Sequence, residues 1–213
     1  MVPDAHGTLT SYIHINILVS MDSYIRSFLA VPIPNNICKA LLEQIDFLSK
    51  KVPQSIKWVS EENLHITLKF VGQFRKEDVF KLKHCLHKPF ANIHAFKITF
   101  NQFGSFPNLA RPRVIWFGFD CPPPLEEVYS IAEECYHNLG YTPEQRKFSP
   151  HLTIGRVRRD ASTQEVKELS RSLATLKSEF SIAFTASSVA FYESRLTSSG
   201  PVYTELFNIP LAI

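Results

Sequence analysis

The feature that most constrains this chain is a short pattern that occurs twice: His-x-Thr-x, with an aliphatic residue at both x positions. The first copy begins at His65 and the second at His151, 86 residues later. Side chains two positions apart in a β-strand point to the same face, so each copy places an imidazole beside a hydroxyl, that of Thr67 or of Thr153. The aliphatic residues between them then point into a core. The spacing predicts a duplicated unit whose two strands meet across a cleft.

Two histidines that face one cleft can act as an acid and a base, because the pKa of an unperturbed imidazole lies near neutrality. A threonine hydroxyl beside each imidazole is a short hydrogen-bond donor that suits phosphate oxygens. The constellation therefore indicates metal-free cleavage of a phosphoester. His65 and His151 are the predicted catalytic residues, and Thr67 and Thr153 are the predicted substrate-binding residues.

A single His-x-Thr is common, and in most strands it is a half-buried histidine with a satisfied hydrogen bond. The recurrence in a similar apolar frame favours catalysis. Metal binding is less favoured, because only two histidines converge and no acidic or cysteine partner lies at ligand spacing nearby. We expect neither a metal nor a cofactor.

The composition limits the class of partner. The chain has 213 residues, 45% of them hydrophobic and 17 of them Phe, which is enough for a sizeable core. A net charge of +3 with a pI near 8.6 suits a small anionic ligand or a short nucleic acid. This net charge is smaller than that of a protein dedicated to binding nucleic-acid duplexes.

The four cysteines are Cys38, Cys85, Cys121 and Cys135, and they form no Cys-x-x-Cys pair. We predict free thiols in a reducing compartment, and hence a cytoplasmic location. The early apolar run at 13–19 is interrupted by His14 and Asn16, and no basic cluster precedes it. This run resembles neither a signal peptide nor a membrane span.

Hydrophobic periodicity divides the rest of the chain into alternating strands and helices. Strands are predicted at 24–33, 57–59, 64–71, 94–103, 113–119, 151–158, 180–192 and 202–211. Helices are predicted at 35–51, 76–87, 125–139 and 162–177, with Ser162 as the cap of the last helix. Gly72 is expected to end the first histidine strand, Gly140 to end the third helix, and 104–111 to form a loop.

These elements fall into two similar halves without a Pro/Gly/Ser-rich linker. The predicted fold class is α+β: two pseudo-symmetric lobes of mostly antiparallel sheet, with helices on the outer faces and a central cleft. We predict one two-lobed domain at 24–213, present as a monomer. Residues 1–23 are interpreted as an extension, in which Ile13, Ile15 and Ile17 alternate with polar residues as in an edge strand, and the stretch before Met21 is expected to be dispensable.

With these residues in hand, the chain resembles the two-histidine (2H) phosphoesterases, and among them the RNA 2′,3′-cyclic phosphodiesterases, also called 2′-5′ RNA ligases. The match runs from about 26 to 211. Its segments are Arg-Ser-Phe-Leu-Ala-Val-Pro at 26–32, Trp58 with Asn-Leu-His-Ile-Thr-Leu at 63–68, Phe-Gly-Ser-Phe-Pro at 103–107 with Pro-Arg-Val-Ile-Trp at 112–116, Pro-His-Leu-Thr-Ile-Gly-Arg at 150–156, and Tyr-Glu-Ser-Arg-Leu at 192–196 with Gly-Pro-Val-Tyr at 200–203.

The resemblance implies a bilobal fold, no metal, and hydrolysis of a 2′,3′-cyclic phosphate at an RNA end, or in a small cyclic nucleotide, to a 2′-phosphomonoester. His65 would donate a proton to the departing 3′ oxygen, and His151 would activate water. Thr67 and Thr153 would hold the non-bridging oxygens. Arg156 could pair with the phosphate, although a solvated strand end would explain an arginine there equally well.

Three alternatives stay open: 2′-5′ ligation, hydrolysis of another cyclic phosphate such as that of ADP-ribose, and non-catalytic binding of RNA ends. Arg158 and Arg159 would extend a basic rim or simply solvate a turn. Phe148, Trp58 and Tyr192 could stack on a base, yet aromatic residues that flank strands more often belong to a core. The remaining histidines, interpreted as structural or exposed, include His84, His87, His94 and His137.

Overall fold

A computed structural model describes residues 23–176, 179–198 and 200–213 of the chain. Its strands are β1 (Tyr24–Pro32), β2 (Ile56–Trp58), β3 (His65–Arg75), β4 (Phe96–Phe100), β5 (Gln102–Phe106), β6 (Val114–Gly118), β7 (Leu152–Val157), β8 (Ile182–Ala186), β9 (Ser188–Leu196) and β10 (Pro201–Pro210). Its helices are α1 (Asn35–Ser49), α2 (Asp78–Phe90), α3 (Pro123–Asn138) and α4 (Thr163–Thr175). The predicted α+β class with mostly antiparallel strands is confirmed.

Eight strands form one sheet that spans both halves of the chain. Its order is β10-β9-β1-β3-β7-β6-β5, with β2 also paired to β7, while β4 and β8 form a separate two-stranded sheet. The halves join where β3 pairs antiparallel with β7, at Ile66 opposite Leu152. The two histidine strands are therefore neighbours at the centre of the sheet. The division into an extension and one domain at 24–213 stays a prediction.

Large apolar side chains fill the core, among them Phe74, Phe90, Phe117 and Phe191, each fully buried. Burying such a side chain contributes about 1.5–3 kcal/mol. Helix α3 packs on β3 and contacts α2, so these elements support the first histidine strand from behind.

Local sequence signals set several boundaries as predicted. The Ser162 side chain accepts a hydrogen bond from the Glu165 backbone, and the Glu165 side chain accepts one from the Ser162 backbone, which completes a capping box for α4. Gly140 follows the end of α3 with φ at 88°, a left-handed conformation that favours glycine. The next residue, Tyr141, then bonds back to the carbonyl of Tyr136. This helix end launches the loop at 141–149 that leads into the second histidine.

Three boundary predictions are wrong. Gly72 does not end the first histidine strand, which continues in β3 to Arg75, because β1 supplies hydrogen-bonding partners along that length. The start of the predicted loop at 104–111 is instead strand β5, paired with β6. The long strand predicted at 180–192 is two strands, β8 and β9, which belong to different sheets.

The prediction of four free thiols is also wrong. Cys85 on α2 and Cys135 on α3 form a disulfide, with their Cα atoms 5.9 Å apart, while Cys38 and Cys121 are free. The two cysteines lie 50 residues apart in sequence, and only the packing of α2 against α3 brings them together. The cytoplasmic location, which relied on free thiols, stays a prediction.

The strand predicted around Ile13, Ile15 and Ile17 lies outside the described residues. Among the helices that the structure describes, none combines the length and apolar character needed to cross a bilayer.

Candidate active site

The pairing of β3 with β7 arranges the predicted catalytic residues. Ile66 and Leu152 lie opposite each other, and both are fully buried. Because side chains alternate along a strand, the residues on either side of this pair point to the other face of the sheet. The four side chains that share this second face, all partly exposed, are His65, Thr67, His151 and Thr153.

The antiparallel register also sets the spacing of the two imidazoles. One step either side of the Ile66–Leu152 pair, His65 lies level with Thr153 and Thr67 lies level with His151. The two histidines are thus diagonal neighbours, with their backbones about 7–8 Å apart across the strand pair. Both imidazoles therefore lie on the same face of the β3–β7 pair.

A β-bulge follows the motif in both strands. On β7 the register moves from Thr153 to Gly155 while the partner β6 advances by one residue. On β3 it moves from Thr67 to Lys69 while β1 advances by one residue. The extra residue reverses the alternation, so the residue three positions after each threonine returns to the face of the histidines. These residues are Phe70 and Arg156, and both are exposed.

Gly155 lies in the second bulge, where a side chain would meet residues of strand β2. A Cβ atom there would lie 2.7 Å from Cγ2 of Ile56 and 3.0 Å from the Trp58 ring. Strand β2 therefore approaches β7 closely at this point, and that approach fixes the backbone that presents Arg156.

Each imidazole is oriented by the same hydrogen bond. His65 Nδ1 lies 2.8 Å from the carbonyl oxygen of Asn63, and His151 Nδ1 lies 2.8 Å from that of Ser149. A carbonyl oxygen only accepts, so Nδ1 of each ring carries the proton. In the neutral rings Nε2 keeps its lone pair. Each histidine is therefore set to accept or donate a proton through Nε2.

Aromatic side chains hold the two rings in place. His65 stacks on Phe28 with 4.5 Å between ring centroids and meets Tyr203 edge-on at 5.3 Å. His151 meets Phe106 edge-on at 4.8 Å. These contacts, from strands β1, β10 and β5, hold each imidazole in place.

The surroundings keep both histidines neutral near pH 7. Burial is the main reason that the pKa of His65 is lowered to about 4, and the hydrogen bond to Asn63 opposes it. The charge of Arg156, and that of His151 once it is protonated, lower this pKa further. Burial likewise lowers the pKa of His151, with a further contribution from Arg156. The charge of Arg156 thus lowers the pKa of both imidazoles.

Arg26 and Tyr203 belong to the same site. Burial raises the pKa of the Tyr203 hydroxyl, but the positive charges of Arg156 and Arg26 both oppose that rise. Arg26 also lies over the ring of Phe70, 5.1 Å from its centroid. Within the part of the chain that the structure describes, neither arginine has a carboxylate partner.

A buried ion pair supports the wall of the cleft beside His151. Lys69 Nζ lies 2.7 and 2.8 Å from the two carboxylate oxygens of Glu133 and 3.2 Å from the carbonyl oxygen of Thr142. The same carboxylate accepts a hydrogen bond of 3.0 Å from the Glu144 backbone. These bonds tie the loop at 141–149 to β3 and α3. That loop and the His151 side chain line a cleft of about 1320 Å³.

The other residues that the sequence singled out as candidates for RNA contacts or structural roles differ in their surroundings. Phe148 lines the cleft but stacks on Tyr129 at 3.9 Å. Arg158 pairs with Asp160 at 3.2 Å on the surface, which agrees with a solvated turn. Tyr192 stacks on Phe28. The histidines that are exposed and distant from the motif in sequence are His84, His87, His94 and His137.

Sequence reasoning missed Phe28, Arg26, Tyr203 and Phe70 as parts of the site. The first three lie in segments that carry the family resemblance, but their roles depend on which strands become neighbours. Phe70 was missed because strict alternation places it on the wrong face. Among the described residues, no group of three or more His, Cys, Asp or Glu side chains is arranged to hold a metal ion.

Comparisons with known proteins identify the family of this chain. The model of the 2′-5′ RNA ligase superfamily matches residues 34–197. The RNA 2′,3′-cyclic phosphodiesterase of Methanocaldococcus jannaschii is 37% identical over 178 residues, which cover 84% of this chain and 96% of that protein. The protein of the same name from Archaeoglobus fulgidus is 32% identical over 184 residues, covering 85% and 97%.

Solved structures share the fold. TT0787 of Thermus thermophilus superposes with a TM-score of 0.73 at 24% identity, covering 88% of this chain and 98% of that one. E. coli LigT complexed with 3′-AMP gives a TM-score of 0.71 at 22% identity, covering 89% and 99%. From the family match and the archaeal relatives, this chain belongs to the 2′-5′ RNA ligase superfamily of 2H phosphoesterases.

Proposed function

We propose that this protein is a phosphodiesterase that hydrolyses a 2′,3′-cyclic phosphate at an RNA end to a 2′-phosphomonoester, without a metal. The observation that carries the proposal is the matched pair of imidazoles, His65 and His151, on one face of the β3–β7 pair. Each has Nδ1 tied to a backbone carbonyl and so has Nε2 available for proton transfer. The names of the archaeal relatives support the choice of substrate.

In the proposed reaction, a water oxygen attacks phosphorus as the bond to the 3′ oxygen breaks. Nε2 of His151 accepts the proton of the water, and protonated Nε2 of His65 delivers one to the departing 3′ oxygen. Each transfer contributes typically about 10²–10⁴-fold. The order of the two roles rests on the family resemblance.

The remaining residues of the site stabilise charge. The hydroxyls of Thr67 and Thr153 donate to the non-bridging oxygens, and the guanidinium of Arg156 pairs with the same anion. Hydrogen bonds to a charged group contribute roughly 1.5–3 kcal/mol each, and more where negative charge develops in the transition state. Fixed donors of this kind need no reorganisation during the reaction.

Substrate binding would also favour protonation of His65 by solvent. In the empty site the pKa of His65 is about 4, so the ring is neutral near pH 7. A phosphate anion between the two rings opposes the effect of Arg156 and raises the pKa of a neighbouring imidazole. The anion thus favours the protonated state that the leaving group needs.

The test is an assay in EDTA with an RNA oligonucleotide that ends in a 2′,3′-cyclic phosphate, with the position of the product phosphate determined by phosphorus NMR. We expect a 2′-phosphomonoester from the wild-type protein. His65→Ala and His151→Ala should fold, as judged by melting temperature, yet lose turnover. His137→Ala, at an exposed histidine on α3, is the matched control and should retain full turnover.

Turnover retained in either of the first two variants would remove the acid–base assignment. Tight binding of the cyclic end by the wild type without turnover would favour a non-catalytic RNA-end binder. Two parallel assays test the other enzymatic alternatives. Turnover of the cyclic phosphate of ADP-ribose tests the other cyclic substrate, and joining of an added 5′-hydroxyl RNA tests ligation.

A further inference from the structure

Phe70 is a large aromatic side chain that the core does not use. It is 50% exposed, although it lies opposite the buried Phe28 in the β1–β3 ladder. The bulge after Thr67 turns it to the face of the two histidines. The equivalent position in the second copy is held by Arg156, so one half of the site presents a charge and the other half presents an aromatic ring.

The surroundings of Phe70 form a continuous extension of the active site. Phe70, Thr67 and His151 line one cleft, together with Phe106 and the loop at 141–149. The cleft has a volume of about 1320 Å³, which exceeds the roughly 300–1,000 Å³ typical of sites for small ligands. The space is therefore larger than a single cyclic nucleotide requires.

The walls of this extension are basic. Arg113 and Lys147 line the cleft, and Arg26 lies over the Phe70 ring. None of these three cations has a carboxylate partner among residues 23–176, 179–198 and 200–213. Exposed aromatic rings within a cationic groove are the combination that binds single-stranded nucleic acid, by base stacking and by phosphate contacts.

Phe70 is also at a suitable distance from the reacting centre. It lies four residues beyond Ile66 on β3, one of them taken up by the bulge, which corresponds to about 10 Å along the strand. That separation suits the nucleotide next to the one whose phosphate lies between the histidines.

We propose that this part of the cleft is a subsite for the penultimate nucleotide of a single-stranded RNA, with its base stacked on Phe70 and its phosphate beside Arg26 and Arg113. The inference rests on the proposed function and deepens it. It makes RNA ends of two or more nucleotides, rather than cyclic mononucleotides, the preferred class of substrate.

The experiment compares kcat/KM for a 2′,3′-cyclic mononucleotide with that for a dinucleotide carrying the same cyclic end. The wild type should favour the dinucleotide. In Phe70→Ala the ratio of the two kcat/KM values should fall about 5- to 150-fold, the effect of removing one stacking ring, mainly through KM of the dinucleotide. Phe70→Tyr keeps an aromatic face and should keep most of the ratio.

Phe80→Ala is the matched control, because Phe80 is 77% exposed on α2 and does not line the cleft; its ratio should equal that of the wild type. Binding of the 2′-phosphorylated dinucleotide product, followed by calorimetry, gives a second readout and should weaken in Phe70→Ala. A wild-type ratio near one, or an unchanged ratio in Phe70→Ala, would overturn the subsite. If neither substrate is hydrolysed, the proposed function itself fails.

Discussion

The two histidine strands are alike in their chemistry and differ in what surrounds it. Both β3 and β7 carry the motif on one face, both have a bulge at the same position after the threonine, and both orient the imidazole through a carbonyl two residues earlier. After the bulge, however, β3 continues with Lys69 and Phe70, whereas β7 continues with Gly155 and Arg156.

The difference shows which parts of a duplicated site can diverge. In the proposed mechanism, proton transfer needs an oriented imidazole on each side of the phosphorus, and both copies supply one. The proposed substrate is not symmetric, and the residues after the bulge differ between the two copies. Lys69 extends to Glu133 and the loop at 141–149, while the absence of a side chain at Gly155 leaves room for β2.

The largest expected effect separates the roles of the two histidines. His65→Ala and His151→Ala should each lower kcat by about 10²–10⁴-fold, as loss of a general acid or base does. A cyclic substrate with sulfur in place of the 3′ bridging oxygen has a leaving group that needs no proton. Turnover of this substrate should therefore be restored in His65→Ala but not in His151→Ala, measured as single-turnover rates. Restoration in His151→Ala alone would reverse the assignment.

The next effect concerns the Lys69–Glu133 pair, whose side chains are 6% and 15% exposed. Lys69→Met leaves the Glu133 carboxylate buried without its cation, which should cost about 3–5 kcal/mol of the free energy of unfolding. Replacing both residues with apolar ones should recover much of that loss. Urea unfolding of both single variants and the double variant measures the coupling.

The exposed pair of Lys50 with Asp46 on α1 is the control, and Lys50→Met should have little effect. A similarly small effect at Lys69 would mean that the ion pair does not support the cleft wall.

The parts of the site that the sequence predicted are those that depend on interactions between residues close together in the chain. The shared face of His65 and Thr67, and of His151 and Thr153, needs only strand alternation. The capping of α4 by Ser162 and the end of α3 at Gly140 need only local turn chemistry. The sequence alone supported all of these.

The bulges and the pairing of distant strands could not be predicted in this way. Strict alternation places Arg156 on the face opposite Thr153, and only the bulge returns it to the site. Glycine inside an apolar strand often marks a bulge, so Gly155 carried a signal; Lys69, at the same position in β3, carried none. The Cys85–Cys135 disulfide likewise depends on helix packing that no cysteine spacing encodes.

A smaller effect tests whether the positive charge of Arg156 can be moved to the equivalent position in β3, which Phe70 holds. Arg156→Gln should lower kcat/KM by roughly 10- to 150-fold, as loss of a charged hydrogen bond of about 1.5–3 kcal/mol predicts. Arg156→Lys should keep only part of the kcat/KM that Arg156→Gln loses, because an ammonium lacks the planar pair of donors. Adding Phe70→Arg to Arg156→Gln should give no rescue. Full rescue would show that the two copies are interchangeable and that the asymmetry has no role.

The last prediction concerns the pH dependence of anion binding, with sulfate as the probe because it remains a dianion throughout the range. Its charge should favour protonated imidazoles, so the pKa of His65 rises from about 4 when sulfate binds. Binding then takes up a proton between the free and bound pKa values. Affinity should increase as pH falls from 7, by at most tenfold per pH unit for each proton, and level off near pH 4. At constant ionic strength, His65→Gln should remove the increase in sulfate affinity that continues down to about pH 4, because that increase depends on protonation of His65. A pH-independent affinity in the wild type would mean that the anion does not lie between the two rings.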